Sequence, residues 1–169
     1  MAIQRRRTYT TFEVDGIIRA SERRPSQGGG PTGHAGQRHV LISNLELTAR
    51  AATFVTDMPV ACAFAGTPEA VRAVTEALNS TEGQAALQHL DDTYPTGIRV
   101  RLEARVSPLV VRYSSGMDTV RTASVSSVLV LLERIEEVAY HGLHIHTAFP
   151  ILFFRRGRPA WLDSSNVWH

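Results

Sequence analysis

Three histidines lie close together near the end of the chain, at His141, His144 and His146. Alternate side chains of a β-strand share one face, so His144 and His146 would point the same way, as a pair of metal ligands must. A metal site needs further ligands, and the next acidic residue is Asp163. We therefore predict no metal site; if there were one, His144 and His146 would be the candidate ligands. The alternatives are an ordinary exposed strand face and a surface whose charge changes near neutral pH.

Other catalytic patterns are absent from the sequence. There is no Gly-X-Ser-X-Gly nucleophile turn, and the glycine run 28–30 is not followed by Gly-Lys-Ser/Thr. The one cysteine, Cys62, sits in an apolar run that is typical of a buried small side chain. From these absences we predict a protein that is not an enzyme and has no cofactor.

The basic residues indicate binding more clearly than catalysis. All 18 are arginine, while the net charge is only +2. Guanidinium groups pair with phosphates and carboxylates, so we expect local arginine clusters to contact an anionic partner. The alternatives are a solvated turn for the last cluster and cross-strand ion pairs for the middle one. The three predicted contact clusters are Arg5, Arg6 and Arg7; Arg99, Arg101 and Arg105; and Arg155, Arg156 and Arg158.

Hydrophobic periodicity predicts the elements that would position these residues. The clearest is a strand over Ile98–Val106, in which apolar residues alternate with three arginines and a glutamate. Other predicted strands are Tyr9–Ala20, Val60–Phe64, Leu109–Tyr113, Thr119–Ser126 and Leu143–Phe154, and His39–Ile42 is predicted to be a short strand or a turn. Predicted helices begin near Ser43, at Thr67 and at Thr81, and a longer amphipathic helix covers Ser127–His141 with Gly142 closing it.

These elements predict an α+β fold, with a twisted, mostly antiparallel sheet packed against two or three helices. Residues 1–8 are predicted to form a mobile basic arm. Residues 9–169 are predicted to form a single globular domain with a flexible Gly/Pro-rich loop at 21–37. A hydrophobic fraction of 43% is ordinary for such a domain.

The C-terminal quarter resembles the matrix proteins of rhabdoviruses. The matching residues are the predicted helix over Glu133–Tyr140, then Gly142-Leu143-His144-Ile145, the turn at Arg156-Gly157 and the tryptophan strand Ala160–Ser164. The Pro-Pro-X-Tyr budding motif of many animal-virus relatives is absent, and the basic arm is short. The closest likeness is thus to the shorter matrix proteins of plant-infecting members, the cytorhabdovirus and nucleorhabdovirus type.

The resemblance implies a structural protein that associates with itself, condenses the helical nucleocapsid and links it to the envelope. Its implied partners are other copies of the chain, the nucleoprotein–RNA complex, the anionic inner leaflet or a glycoprotein tail, and RNA. Its implied location is the virion between nucleocapsid and envelope, or the host cytoplasm and membranes. The nine clustered arginines would then make the nucleocapsid, membrane and self-association contacts.

Two alternatives from other functional classes stay open at this point. One is an arginine-rich RNA-binding module, such as a silencing suppressor or a small regulator, whose RNA affinity would fall steeply with salt. The other is a small metal-dependent enzyme centred on His144 and His146.

Overall fold

A computed structural model describes residues 7–23, 32–33, 35–53, 61–96, 99–114, 120–136 and 142–152. Within them the predicted α+β class is confirmed. The helices are α1 (Thr11–Arg23), α2 (Ala35–His39), α3 (Asn44–Thr53), α4 (Thr67–Asn79) and α5 (Thr81–Thr93); the strands are β1 (Ala61–Phe64), β2 (Val100–Ser114), β3 (Arg121–Arg134) and β4 (Leu143–Pro150). No helix in these ranges has the length and apolar character to cross a bilayer.

The four strands form one antiparallel sheet in the order β1-β2-β3-β4. The sheet must be strongly curved, since its first and last strands contact each other. The Cys62 thiol on β1 donates to the Pro150 carbonyl on β4 over 3.0 Å. Two register shifts accompany the curvature. One lies between Arg105 and Leu109 on β2, and the other lies between Leu131 and Leu132 on β3. Such bulges increase local bending and twist.

One face of the sheet carries the main core. Side chains from α1, α2, α4 and α5 pack there against all four strands, while α3 packs against β1 in a smaller separate cluster. On β2 the predicted alternation is confirmed, since Leu102 and Ala104 are buried whereas Arg101, Glu103 and Arg105 are exposed. The arginines of this strand therefore lie on the face away from the main core.

The predicted strand over Tyr9–Ala20 is wrong, because this segment forms helix α1. Val14, Ile17, Ile18 and Ser21 are buried at helical spacing. The helix begins with a capping box in which the Glu13 carboxylate accepts from the Thr10 amide (2.8 Å) and the Thr10 hydroxyl accepts from the Glu13 amide (3.2 Å). The Thr-X-X-Glu spacing outweighs the short alternation around Phe12.

The two ends of the predicted loop at 21–37 are helical, since α1 reaches Arg23 and α2 begins at Ala35. For His39–Ile42, predicted as a short strand or a turn, the strand is wrong: His39 ends α2, and a turn follows at Val40. The amides of Val40 and Leu41 both donate to the Gly36 carbonyl, which closes α2 at its C-terminal end. A run of three apolar residues is too short to identify a strand by itself.

The predicted helix over Ser127–His141 is wrong where the structure describes it, because β3 continues to Arg134. Val128, Leu129, Val130, Leu132 and Glu133 are all buried. A central strand covered on both faces carries a continuous apolar run, which can imitate the stripe of an amphipathic helix. Gly142, predicted to close a helix, precedes β4 with a φ of 67°. The predicted strand from Leu143 ends at Pro150.

Helices α4 and α5 begin at the predicted residues, Thr67 and Thr81, and each is capped by the residue before it. Gly66, not Thr67, is the N-cap of α4, and Ser80, not Thr81, caps α5. The Ser80 hydroxyl accepts from the Gly83 amide (3.0 Å) and donates to the Ala77 carbonyl (2.7 Å). A side chain at Gly83 would meet the Ala77 carbonyl at 2.1 Å, so only glycine fits between the two helices.

We expect Ser80→Ala to lower the free energy of unfolding by about 1 kcal/mol, because it removes the side-chain cap of α5. For a chain of this length the melting temperature should fall by roughly 2–4 °C. Thr81→Ala is the matched control, since Thr81 is exposed and is not the cap. Equal melting temperatures for the two variants would contradict this assignment.

Candidate functional site

The structure describes four of the nine arginines that were predicted to make contacts. Arg5 and Arg6 of the N-terminal cluster, and all of Arg155, Arg156 and Arg158, lie outside the described residues. Arg7 packs on the domain, with its guanidinium 4.7 Å from the centre of the Tyr9 ring and 3.6 Å from the Glu13 carboxylate.

The middle cluster is exposed, as expected: Arg99 directly precedes β2, and Arg101 and Arg105 lie on the outer face of the strand. Arg99 pairs with the buried Glu133 of β3 at 3.4 Å, and Arg101 pairs with Glu103 on its own strand. Arg105 is exposed beside the β2 bulge. A cross-strand ion pair was one of the alternatives for this cluster, and Arg99 makes such a pair. A role for these arginines in contacting a partner stays a prediction.

His144 and His146 do not form a metal site with other described residues. Their ring centres are 6.4 Å apart and both side chains are buried. No group of three or more histidine, cysteine, aspartate or glutamate side chains that could hold a metal occurs in the described ranges. Burial, together with the positive charges of His146 and Arg99, lowers the pKa of His144 to about 4. His144 is therefore neutral at physiological pH.

A groove of about 490 Å³ lies between α4 and β2. Burial acts to raise the pKa of the Glu76 carboxyl in this groove, but hydrogen bonds from the Ser107 amide and the Arg72 guanidinium outweigh it, so this pKa lies below its ordinary value. The carboxylate thus stays charged and structural. The groove contains no histidine; its lining residues are Thr75, Glu76, Asn79, Ser80, Arg105, Val106 and Ser107.

A histidine, an aromatic ring and a buried hydroxyl come together where α2 meets β4. The ring centre of His39, the last residue of α2, lies 5.3 Å from that of Phe149. Thr147 is two residues before Phe149, and both lie on the face away from the main core, since they pair with Leu131 and Leu129. The Thr147 hydroxyl is buried and makes no hydrogen bond to any residue that the structure describes. We call His39, Thr147 and Phe149 the α2–β4 site.

The end of α1 holds α2 against the edge of β4. The Ser21 hydroxyl accepts from the Ile145 amide at 2.9 Å, and the Ser21 carbonyl accepts from the Gly33 amide at 2.8 Å. A Cβ at Gly33 would lie 2.6 Å from the Ile145 carbonyl oxygen. This close backbone approach, which glycine alone permits, brings the start of α2 onto β4 and carries His39 toward Phe149.

His39 differs from the other described histidines in its surroundings. His144 and His146 are buried, and His89 is exposed on α5. His39 is partly buried beside an aromatic face, so a substrate could reach its imidazole while water is partly excluded. An imidazole can accept and donate protons, and an aromatic ring can stack on a nucleobase.

The sequence reasoning missed all three residues of the α2–β4 site. His39 was assigned to a short strand or turn, and in the segment that contains Thr147 and Phe149 only the histidines were considered as functional candidates. No short motif marks them, because His39 and Thr147 are more than 100 positions apart and meet only through the fold.

Comparison with known proteins gives two matches. A family model described as "Bacterial CdiA-CT RNAse A domain" matches residues 33–150, the stretch that contains both α2 and β4. The chain also resembles a solved chain in a CdiA-CT/CdiI complex from Y. kristensenii 33638, with 23% sequence identity and a TM-score of 0.53. That match covers 70% of this chain and 98% of the solved one. No curated protein matches the chain.

These matches overturn the resemblance to rhabdovirus matrix proteins, which was carried by short apolar motifs in strands that many folds share. The predicted virion location and the nucleocapsid, membrane and glycoprotein partners fall with it. The prediction that the chain is not an enzyme is wrong, because the matching family is a ribonuclease domain. The alternatives of a non-catalytic RNA-binding module and of a metal-dependent enzyme at His144 and His146 are not supported.

Proposed function

The chain belongs to the bacterial CdiA-CT RNAse A domain family, and on this premise we propose that it is a toxin domain that cleaves RNA at the α2–β4 site. The observation that carries the location is the contact of His39 with Phe149 beside the unpartnered Thr147 hydroxyl. In the described part of the chain, this is where a partly accessible imidazole, a ring for stacking and an unsatisfied polar group coincide.

The chemistry follows from what these side chains offer to RNA. A nucleobase would stack against Phe149, which places the adjoining ribose and phosphate near His39. The imidazole of His39 would remove the proton from the 2′-hydroxyl, whose oxygen then forms a bond to phosphorus. The bond from phosphorus to the 5′-oxygen breaks, and that oxygen takes up a proton from water. The products are a 2′,3′-cyclic phosphate and a 5′-hydroxyl, so the reaction needs the 2′-hydroxyl that distinguishes RNA from DNA.

Thr147 would hydrogen-bond to the bound nucleotide. A buried hydroxyl with no partner is costly to the folded state, and such costs are often retained at functional sites. A bound nucleotide would supply the hydrogen-bond partner that the Thr147 hydroxyl lacks among the described residues.

We expect Thr147→Val to lower kcat/KM for RNA by about 10- to 100-fold, because a hydrogen bond to a charged group is worth about 1.5–3 kcal/mol. The melting temperature should stay the same or rise, since the lost hydroxyl makes no bond in the folded protein. Thr147→Ser, which keeps the hydroxyl, should retain most of the activity. A valine variant with full activity would exclude this role.

The exposed arginines of β2 would guide the RNA chain across the sheet. Arg101 pairs with Leu131, which pairs in turn with Thr147, so the three lie in one row on the face away from the core. Two strand spacings separate Arg101 from Thr147, about 10 Å. We propose that Arg101 and Arg105 contact phosphates that flank the cleaved one.

A cognate immunity protein is the proposed partner of this domain. The related solved chain is in a complex with CdiI. A ribonuclease toxin requires such an inhibitor in the cell that makes it, so we propose that this chain has one.

The direct test of the proposed function is incubation of the purified protein with RNA and with DNA of the same sequence, in excess chelator. We expect cleavage of the RNA to fragments with cyclic phosphate ends, and intact DNA. Intact RNA, or equal cleavage of RNA and DNA, would refute the proposal.

A further inference from the structure

Arg112 on β2 holds the segment that directly follows His39. One nitrogen of its guanidinium, Nη2, donates to the carbonyls of Val40 (3.0 Å) and Ile42 (2.8 Å). The other, Nη1, donates to the Asn44 side-chain oxygen at 3.0 Å. The three acceptors span the connection between α2 and α3, and Arg112 is only partly exposed. Arg112 thus joins the sheet to this connection at three points.

The geometry of these bonds suits arginine. A guanidinium is planar and presents several N–H groups in a fixed fork, so it can hold several oxygens at once in a defined arrangement. The Val40 carbonyl is one peptide beyond His39, and carbonyls at a helix C-terminus lack partners within the helix. The Arg112 side chain satisfies that carbonyl and fixes where α2 ends.

His39 depends on this anchor because α2 is short. A helix of five residues has little stability of its own, so tertiary contacts set its position. Its N-terminal side is held by the contacts of Ser21 and Gly33 with β4. Arg112 holds the other side, where the imidazole lies. The face of β1 next to this connection is apolar, since Ile42, Ala61 and Ala63 are buried together there.

We propose that Arg112 is a positioning residue for RNA cleavage, which fixes the His39 imidazole against Phe149 by its three hydrogen bonds to the segment 40–44. This inference rests on the proposed function. It assigns part of the efficiency of the His39 imidazole to a side chain that acts through the segment following His39.

The test compares Arg112→Ala and Arg112→Lys with Arg72→Ala. Arg72 is a matched control, because its guanidinium also donates to two backbone carbonyls, of Ser107 (3.4 Å) and Pro108 (3.0 Å), but away from α2. Two readouts are measured. The first is kcat and KM for RNA. The second is the NMR chemical shift of the His39 ring protons, which the ring current of the nearby Phe149 changes. The second readout needs no substrate and no activity.

We expect Arg112→Ala to lower kcat by about 100-fold with little change in KM, because a displacement of about 1 Å can cost that much. The His39 ring-proton signals should lose the chemical-shift change caused by Phe149, or they should broaden. Arg112→Lys, which cannot reproduce the fork, should retain the fold but recover only part of kcat. Arg72→Ala should leave kcat and the His39 signal unchanged even if its melting temperature falls.

An unchanged His39 signal together with unchanged kcat in Arg112→Lys or Arg112→Ala would overturn the inference. Should Arg112→Ala fail to fold, the lysine variant decides by the same two readouts. If the wild-type protein does not cleave RNA at all, the proposed function fails, while the His39 signal still shows whether Arg112 positions the ring.

Discussion

Replacement of His39 by glutamine should lower kcat/KM for RNA cleavage by about a thousandfold, since general acid–base catalysis contributes roughly 10²–10⁴. Glutamine keeps polar atoms and similar length but cannot take up and release a proton near neutral pH. The loss should therefore lie in kcat, with RNA binding nearly intact. Steady-state kinetics on a short RNA, combined with RNA affinity by titration, measures both quantities.

The control for this substitution is His89→Gln, because His89 is exposed on α5. The control should retain wild-type kinetics. Both variants should melt close to the wild-type temperature, since His39 is only partly buried and lies at the end of a short helix. A His39→Gln variant that is folded and fully active would show that RNA cleavage takes place elsewhere.

The second large effect is a loss of stability in mild acid caused by His144. Its side chain is fully buried, and neither ring nitrogen has a hydrogen-bond partner within the described part of the chain. Its pKa is lowered from 6.5 to about 4, first by burial and then by the charges of His146 and Arg99. Between these two values the unfolded chain binds a proton that the folded chain does not. Stability is thus complete above pH 6.5 and falls as the pH drops toward 4.

The size of this loss follows from the pKa difference. A shift from 6.5 to about 4 corresponds to roughly 3 kcal/mol at pH 4. His144→Leu removes the titrating group and keeps an apolar side chain of similar size in the same place. Its free energy of unfolding should therefore vary with pH less steeply than that of the wild type between pH 6.5 and 4.

Urea unfolding at several pH values measures the effect. Removal of the exposed histidine in His89→Leu serves as the control and should leave the wild-type slope unchanged. Parallel pH curves for the wild type and His144→Leu would contradict the role of His144. Glu133, the residue opposite His144 on β3, is present in both the wild type and His144→Leu, so its own titration does not explain a difference between their pH curves.

Local patterns predicted a substantial part of this fold. The alternation over Ile98–Val106 located β2 and its exposed face, because a strand with one covered face imposes a period of two on the sequence. Pro68 just inside α4 located that helix within one residue, since proline is tolerated only in the first turn. Both signals depend on neighbours close in the chain.

The errors have a common physical cause. Strand β3 lies between β2 and β4, and its two faces are both buried, as the neighbouring residues Leu129 and Val130 show; a short sequence window cannot reveal this. The start of α1 carried a readable signal in Thr10 and Glu13, which alternation around Phe12 obscured. Local patterns therefore identify a helix or strand reliably only where one of its faces is buried and the other is exposed.

The candidate site could not be predicted from the sequence, because each of its contacts is nonlocal. Ser21 meets Ile145 across 124 positions, and Arg112 meets Val40 across 72. The arginine clusters were visible as charge, yet charge by itself fits an RNA substrate, a nucleocapsid or an acidic protein equally well. The family match, not the charge, separates these possibilities.

The central claim is that RNA binds and is cleaved at the α2–β4 site. NMR titration with a short oligodeoxynucleotide tests it most directly, because DNA can occupy the site but lacks the 2′-hydroxyl nucleophile. We predict that the side-chain signals of His39, Thr147 and Phe149 shift together with one affinity, which weakens as salt rises. Shifts confined to Glu76, Arg105 and Ser107, in the groove between α4 and β2, would contradict the claim.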